Sequence, residues 1–233
     1  DFRVLPDGKI VAVGAVNDRF AIMRFNADMT LDETFGNGGG TQTDFGAGVY
    51  AQKFTIDSQG RYVVVGRNRI ARYTAAGALD TTFGTNGVTV IDHVGQAYDV
   101  AIQADSRIAV VGRDNVYFRV TRLTSSGAIE ANWDYDAAGG WGGDWGRALI
   151  LRDDGDILLA GRAYGSDAGA NEYIGFGIVR INASGIQEQR FTYNVGSDEF
   201  VHSALSLPDG KFLLIGRADS DLVVTRHQRS GEI

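Results

Sequence analysis

The chain has 233 residues and a formal net charge of −7, which argues against a protein that binds nucleic-acid phosphates through a basic face. Hydrophobic residues make up 44% of the sequence and glycine contributes 32 residues, a balance typical of short strands joined by many turns. Cysteine is absent and no run of 18 apolar residues occurs, so neither a disulfide nor a membrane-spanning helix is expected.

Five short apolar runs, each ending in a glycine, recur along the chain at spacings of 46 to 55 residues. The glycines are Gly14, Gly66, Gly112, Gly161 and Gly216. A period near fifty indicates a repeat architecture. A turn sequence such as PDGK precedes each run, and Asp-Gly between two β-prone runs predicts a tight hairpin.

Each copy continues with a second β-prone run that carries an arginine. The five residues are Arg24, Arg72, Arg122, Arg180 and Arg226. Because the arginine recurs in every copy, we predict that it serves the repeat itself, through a planar contact to an aspartate or a backbone carbonyl. A glycine turn follows, and then LDETFG at Leu31–Gly36, LDTTFG at Leu79–Gly84 and the weaker IEANW at Ile129–Trp133, which we assign to a fourth strand.

Four short strands per copy predict an all-β β-propeller with about five four-stranded blades, the last of them incomplete. We expect one propeller domain over residues 1–233, with blades at approximately 1–50, 51–98, 99–146, 147–202 and 203–233. The sequence stops where the fourth strand of the fifth copy is expected. We therefore expect a piece of a longer protein, whose open edge pairs with a missing terminal strand or with another chain.

The segments PDGKIVAVG at Pro6–Gly14 and LDTTFGTNG at Leu79–Gly87 resemble the delta-60 repeat of bacterial surface and secreted proteins. The resemblance covers nearly the whole chain and is most specific in the first two copies. It implies a bacterial β-propeller outside the cytoplasm, extracellular or at the cell surface. It implies no settled activity, so it carries no functional residues over to this chain.

Two segments depart from the repeat near the fourth copy. GGWGGD at Gly139–Asp144 precedes its first strand, and Ala163–Gly175 lengthens the connection between its second and third strands. In a four-strand meander these two connections open on the same side, and loops on a rigid scaffold concentrate binding residues. The candidate ligand-binding residues are Trp141, Asp144, Tyr164, Asp167, Asn171, Glu172 and Tyr173.

We expect a carbohydrate or a protein as the ligand of these residues. A cation such as calcium, held by Asp144, Asp167 and Glu172, is another candidate ligand, and surface loops without a ligand are the alternative. No other cofactor or metal is predicted, because His93, His202 and His227 have no metal-ligand spacing.

A second set of arginines follows the repeat glycines. Its members are Arg67, Arg113, Arg162 and Arg217. Two interpretations stay open: the side chains form a ring that binds an anion, or they pair with repeat carboxylates such as Asp99 and Asp198.

No nucleophile elbow, zinc-protease motif or phosphate-binding loop occurs in the sequence, so no catalytic residue is predicted. We expect an extracellular or cell-surface binding or adhesion module rather than an enzyme. One alternative is a glycan-active enzyme that uses two carboxylates, for which the candidates are Asp57, Asp99, Asp198 and Glu199. The other alternative is a purely structural repeat scaffold.

Overall fold

The computed structural model describes residues 1–17, 19–92, 95–113, 117–137, 143–166, 172–194 and 199–233, with the backbone alone at 165–166 and 172–174. These residues form β-strands and turns, without a helix. The strands form five sheets in which sequence neighbours pair, which confirms the predicted all-β class. Each sheet is called a blade and numbered in chain order.

The first two blades are four-stranded meanders. Blade 1 comprises β1 (Phe2–Val4), β2 (Ile10–Val16), β3 (Arg19–Phe25) and β4 (Gly40–Thr43), and blade 2 comprises β5 (Lys53–Ile56), β6 (Tyr62–Gly66), β7 (Arg69–Tyr73) and β8 (Val88–Val90).

The next two blades also have four strands, and the last has three. Blade 3 comprises β9 (Gln96–Ile102), β10 (Ile108–Arg113), β11 (Phe118–Leu123) and β12 (Ile129–Tyr135), and blade 4 comprises β13 (Trp145–Leu151), β14 (Ile157–Ser166), β15 (Glu172–Ile181) and β16 (Gln187–Tyr193). Blade 5 comprises β17 (Glu199–Ser206), β18 (Phe212–Ala218) and β19 (Asp221–His227). The described part of blade 5 therefore lacks a fourth strand, as predicted.

The chain divides into two compact units, residues 1–108 with 123–130 and residues 109–122 with 131–233. Each unit has its own apolar core, and in the first unit β6 and β7 are buried along nearly their whole length. In the first unit the core includes Val11, Phe20, Ile22, Phe35, Phe54, Tyr62 and Tyr73. In the second it includes Ile150, Leu158, Phe176, Ile178, Val201, Phe212 and Leu214.

The PDGK-type turns close hairpins of one geometry, as the sequence predicts. In blade 1 the Leu5 amide donates to the Lys9 carbonyl (2.8 Å), and the Gly8 amide donates to the Leu5 carbonyl (2.9 Å). Gly8 has φ +83°, so the hairpin is a tight turn followed by one left-handed residue. Blade 2 repeats these bonds between Asp57, Gly60 and Arg61.

The LDxTFG motif of blades 1 and 2 is a turn rather than the predicted fourth strand. The Asp32 carboxylate accepts hydrogen bonds from the Thr34 hydroxyl (2.6 Å) and the Thr34 amide (3.2 Å). An aspartate that binds the backbone two residues onward favours a turn. The fourth strand consequently starts later, at Gly40 in blade 1. In blade 3 the corresponding residues do lie in a strand, β12.

The repeated arginines make the predicted planar contacts. In blade 2 the Arg72 Nε donates to Asp80 (2.7 Å), and its Nη1 donates to the Ser125 carbonyl in the following blade (2.6 Å). The guanidinium also lies 4.7 Å from the centre of the Phe83 ring. Blade 1 repeats the set with Arg24. One side chain therefore joins its own strand, its own turn and the next blade.

In blades 2 to 5, a glycine in the turn after the third strand receives the aromatic ring of the preceding blade. A Cβ on Gly77 would lie 2.7 Å from the Phe35 ring, and one on Gly127 would lie 2.8 Å from the Phe83 ring. In the second unit, Gly185 has the same relation to Trp133, so Trp133 is a packing residue. Adjacent blades thus pack through an aromatic ring of one blade that contacts the glycine backbone of the next.

Blade 4 reverses the charges of this arrangement. In blade 1 the single carboxylate of Asp32 binds two cations, Lys9 and Arg24. In blade 4 the Lys9 position holds Asp156, and the single cation of Arg180 binds two carboxylates, Asp156 and Glu188. The carbonyl of the following blade, that of Arg229, then receives its hydrogen bond from Arg152 instead (2.5 Å).

The ends of the segment 163–175, predicted as a connection, continue the hairpin of blade 4. Ala163 pairs with Gly175, Tyr164 with Ile174, Gly165 with Tyr173, and Ser166 with Glu172. The strands β14 and β15 therefore reach ten residues each.

We predict that Gly77→Ala destabilises the protein by about 2–4 kcal/mol. The substitution adds a methyl group against the Phe35 ring and places a side chain at φ +86°, and each of these changes costs about 1–2 kcal/mol. Urea unfolding followed by circular dichroism measures the difference.

Gly46→Ala is the matched control, because Gly46 has φ +96° but no heavy atom within 4 Å of the added Cβ. It should lose only the backbone part, about 1–2 kcal/mol. Equal unfolding midpoints for the two variants would contradict the packing role of Gly77.

Candidate functional site

Five side chains at one end of blades 3 to 5 form a stack that we call the arginine–aromatic ladder. Its members are Arg113, Trp145, Arg162, Phe200 and Arg217. Antiparallel pairing positions two of its contacts, because Trp145 lies opposite Arg162 and Phe200 lies opposite Arg217. All five residues belong to the second unit.

Guanidinium groups and rings alternate along the ladder. The Arg113 guanidinium lies 4.1 Å from the centre of the Trp145 ring, and that of Arg162 lies 5.0 Å from the Trp145 and the Phe200 rings. Arg217 lies 5.0 Å from the Phe200 ring, and the two ring centres are 5.8 Å apart. A cation over a ring contributes about 0.5–2 kcal/mol, depending on solvent exposure. The ladder therefore fixes three cations in a row.

Further positive charge lies beside the ladder. Partial burial lowers the pKa of His202, and the positive charges of Arg147 and Arg217 lower it further. Arg162 Nε is buried and has no hydrogen-bond partner within the described part of the chain. This end of the second unit thus gathers four arginines close to the buried acids Asp144 and Glu199.

Three of the four arginines of the second set therefore meet aromatic rings, an arrangement that neither sequence interpretation foresaw. Arg67 lies in the first unit. Its Nη1 donates to the Ala47 carbonyl (3.3 Å), and its own carbonyl accepts from the Ala97 amide (2.6 Å).

Asp144 joins the two segments that depart from the repeat. Its Oδ1 accepts from the Tyr164 amide (2.7 Å) and its Oδ2 from the Ala137 amide (2.7 Å), and the residue is only 2% exposed. Burial raises the pKa of Asp144 to about 6, against the lowering effect of these two amide bonds, and the neighbouring Asp136 raises it further. Asp144 therefore connects the start of β13 to β14.

The other predicted ligand-binding residues are only partly covered by the structure. Glu172 and Tyr173 lie in β15, while Trp141, Asp167 and Asn171 lie outside the described residues. The described residues hold no group of three or more potential metal ligands.

The carboxylates proposed for catalysis do not share one environment. Asp57 accepts from the amides of Gln59 and Arg61, and although burial opposes it, hydrogen bonds from Arg61 hold the pKa of Asp57 below its usual range. Asp99 accepts from the Val100 amide. Glu199 is fully buried, and its Oε2 accepts from the Phe176 amide (3.1 Å). Asp198 lies outside the described residues.

The sequence does contain a pattern that, together with the register of strand pairing, would have predicted the ladder. Trp145 and Phe200 occupy the same repeat position, and so do Arg162 and Arg217. An acid, Asp144 or Glu199, directly precedes each ring, and both acids are buried on backbone amides.

The profile of a family described as "Domain of unknown function (DUF5122) beta-propeller" matches residues 5–35 and 58–83. No curated protein sequence matches the chain. No helix among the described residues is long and apolar enough to cross a membrane.

Three solved structures illustrate the similarity in fold. The Pan2 WD40 domain of Neurospora crassa matches with a TM-score of 0.58 and 10% identity, over 99% of this chain and 69% of that chain. A gluconolactonase from Xanthomonas campestris matches with a TM-score of 0.56 and 14% identity, over 97% and 70%. The extracellular domain of a candidate one-component system from B. thetaiotaomicron matches with a TM-score of 0.55 and 13% identity, over 98% and 26%. Together with the family match, these similarities show a β-propeller fold.

We predict that Asp144 makes the protein less stable as pH rises from 4 to 6. The folded state keeps the Asp144 proton up to a pKa of about 6, whereas the unfolded state loses it near 3.8. The folded state thus binds more protons in this window, so the free energy of unfolding falls with rising pH, by about 1–3 kcal/mol.

Urea unfolding at pH 4.5, 5.5 and 7 measures this dependence. Asp144→Asn should remove it, since an amide does not ionise, whereas Asp221→Asn, at an exposed carboxyl of the same unit, should keep it. An unchanged pH dependence in Asp144→Asn would contradict the assignment.

Proposed function

We propose that the chain belongs to a secreted or cell-surface protein and acts as a binding module for an acidic carbohydrate, which the arginine–aromatic ladder holds. The ladder is the observation that carries the proposal. It presents three guanidinium groups at one end of three successive blades, next to the two departing segments that meet at Asp144 and Tyr164.

The geometry of stacking favours an anionic ligand. A guanidinium that stacks on a ring uses its flat face, while its N–H donors project sideways in the plane of the group. Such donors match the oxygens of a carboxylate or sulfate in pairs.

Two similarities support a location outside the cytoplasm. The repeat resembles the delta-60 repeat of bacterial surface and secreted proteins, and one structural neighbour is an extracellular domain.

A glycan-active enzyme is the second candidate, favoured by one observation. Asp144 and Asp136 interact, and the pKa of Asp144 is about 6, the combination of neighbouring acids and raised pKa that general acids show. Against this role, both oxygens of Asp144 already accept backbone amides. Release of reducing ends from an oligosaccharide, lost in Asp144→Asn, would favour the enzyme.

We predict that the protein binds uronic-acid or sulfated oligosaccharides, and that Arg162→Met weakens this binding at least about tenfold, the usual effect of losing one charge-assisted contact. Isothermal titration calorimetry with oligogalacturonate and a sulfated chondroitin fragment measures the affinity. Raising the salt concentration should also weaken it.

Arg190→Met is the matched control, because Arg190 is an exposed arginine of β16 in the same unit and its loss changes the net charge equally. Equal weakening in both variants would indicate non-specific charge attraction. The absence of any carbohydrate binding by the wild-type protein would overturn the proposal and favour a structural scaffold.

A further inference from the structure

A polar groove lies between blades 2 and 3, within the first unit, and we call it the 2–3 groove. Residues lining it include Ile56, Asp57, Arg61, Val63, Gln103 and Ser125. Its volume is about 490 Å³, within the range of about 300–1,000 Å³ that small-molecule sites occupy. It involves none of the residues of the arginine–aromatic ladder.

The same position between blades 4 and 5 is nearly filled. The cavity there measures about 90 Å³ and is lined in part by Arg152, Leu207 and Arg229. Arg152 occupies the repeat position of Asp57, and Leu207 that of Gln103. The Arg152 side chain is 7% exposed, and its Nη1 bonds the Arg229 carbonyl. A long side chain therefore occupies the space that stays open in the 2–3 groove.

The charges of the 2–3 groove are balanced. Arg61 Nε donates to Asp57 (2.7 Å) and Arg72 Nε donates to Asp80 (2.7 Å), and Arg61 Nη1 also lies 3.7 Å from Asp80, so the two cations face two carboxylates. A balanced pair attracts neither a free anion nor a free cation strongly, yet it offers both donors and acceptors to a neutral ligand.

One acceptor in the groove lacks a donor. Gln103 Oε1 is buried and has no hydrogen-bond partner within the described part of the chain. A buried acceptor without a partner is costly, and a hydroxyl group in the groove would supply the missing donor. Beside these polar groups, the partly exposed side chains of Ile56 and Ile102 offer an aliphatic surface.

We propose that the 2–3 groove binds a neutral, hydroxyl-rich molecule of the size of a monosaccharide. The C–H face of the sugar packs on the aliphatic surface, and its hydroxyl groups bond Gln103 Oε1, the Asp57–Arg61 pair and the hydroxyl of Ser125. The site is separate from the ladder and takes a different chemical class, because the ladder selects charge and this groove selects hydroxyl groups.

Saturation-transfer NMR with the intact chain and a panel of glucose, galactose, mannose and N-acetylglucosamine tests the proposal. We expect binding of at least one sugar with an affinity that high salt leaves unchanged. Gln103→Leu should weaken that binding at least about tenfold, since it removes the buried acceptor. The variant should fold, because blades 1 and 5 carry Leu5 and Leu207 at this position, and its melting temperature should equal or exceed that of the wild type.

A matched control completes the test. Gln189→Leu makes the same change at an exposed site in β16 and should leave the binding unchanged. The proposal is overturned if the wild-type protein binds none of the sugars, which would leave the groove to water, or if Gln103→Leu binds them as well as the wild type does.

Discussion

In blades 1 to 3, the contact of the repeated arginine with the carbonyl of the following blade is the interaction on which the rest of the repeat depends. In blade 2 the Arg72 side chain is 4% exposed, and a charge so buried persists only when its donors are satisfied. Asp80, the Ser125 carbonyl and the Phe83 ring satisfy it together. Three features place these partners around the Arg72 guanidinium: the turn that holds Asp80, the glycine that leaves room for the Phe83 ring, and the spacing of the copies.

Blade 4 is joined to the next blade by a different arginine, and this difference changes the cavity between the two blades. Once Asp156 and Glu188 engage Arg180, the bond to the next blade comes from Arg152. That side chain then fills the cavity between blades 4 and 5. Where the ordinary arrangement persists, between blades 2 and 3, the short side chain of Asp57 leaves the groove open. The volume of the cavity between two blades therefore depends on which side chain joins them.

The sequence predicted those features that depend on neighbouring residues or that recur in every copy. The Asp-Gly turns and the arginine contacts follow from residues a few positions apart or from recurrence in every copy. The assignment of LDxTFG to a strand was wrong, because the Asp32 side chain binds Thr34 and makes a turn. The ladder was missed for a different reason. Two of its contacts join neighbouring blades, and the others depend on strand register, such as that of β13 on β14, which brings Trp145 to Arg162. Burial of Asp144 likewise depends on the Tyr164 amide, twenty residues away.

The reversed charges of blade 4 also limit how such a protein can diversify. If two copies of a repeat exchanged a segment, the fold would be preserved only where both copies carry compatible charges at the matching positions. A turn from blade 2 placed in blade 4 would set Arg61 beside Arg180 and remove both Arg152 and Asp156. Like charges would then face each other across the hairpin. Such an exchange would therefore destabilise blade 4.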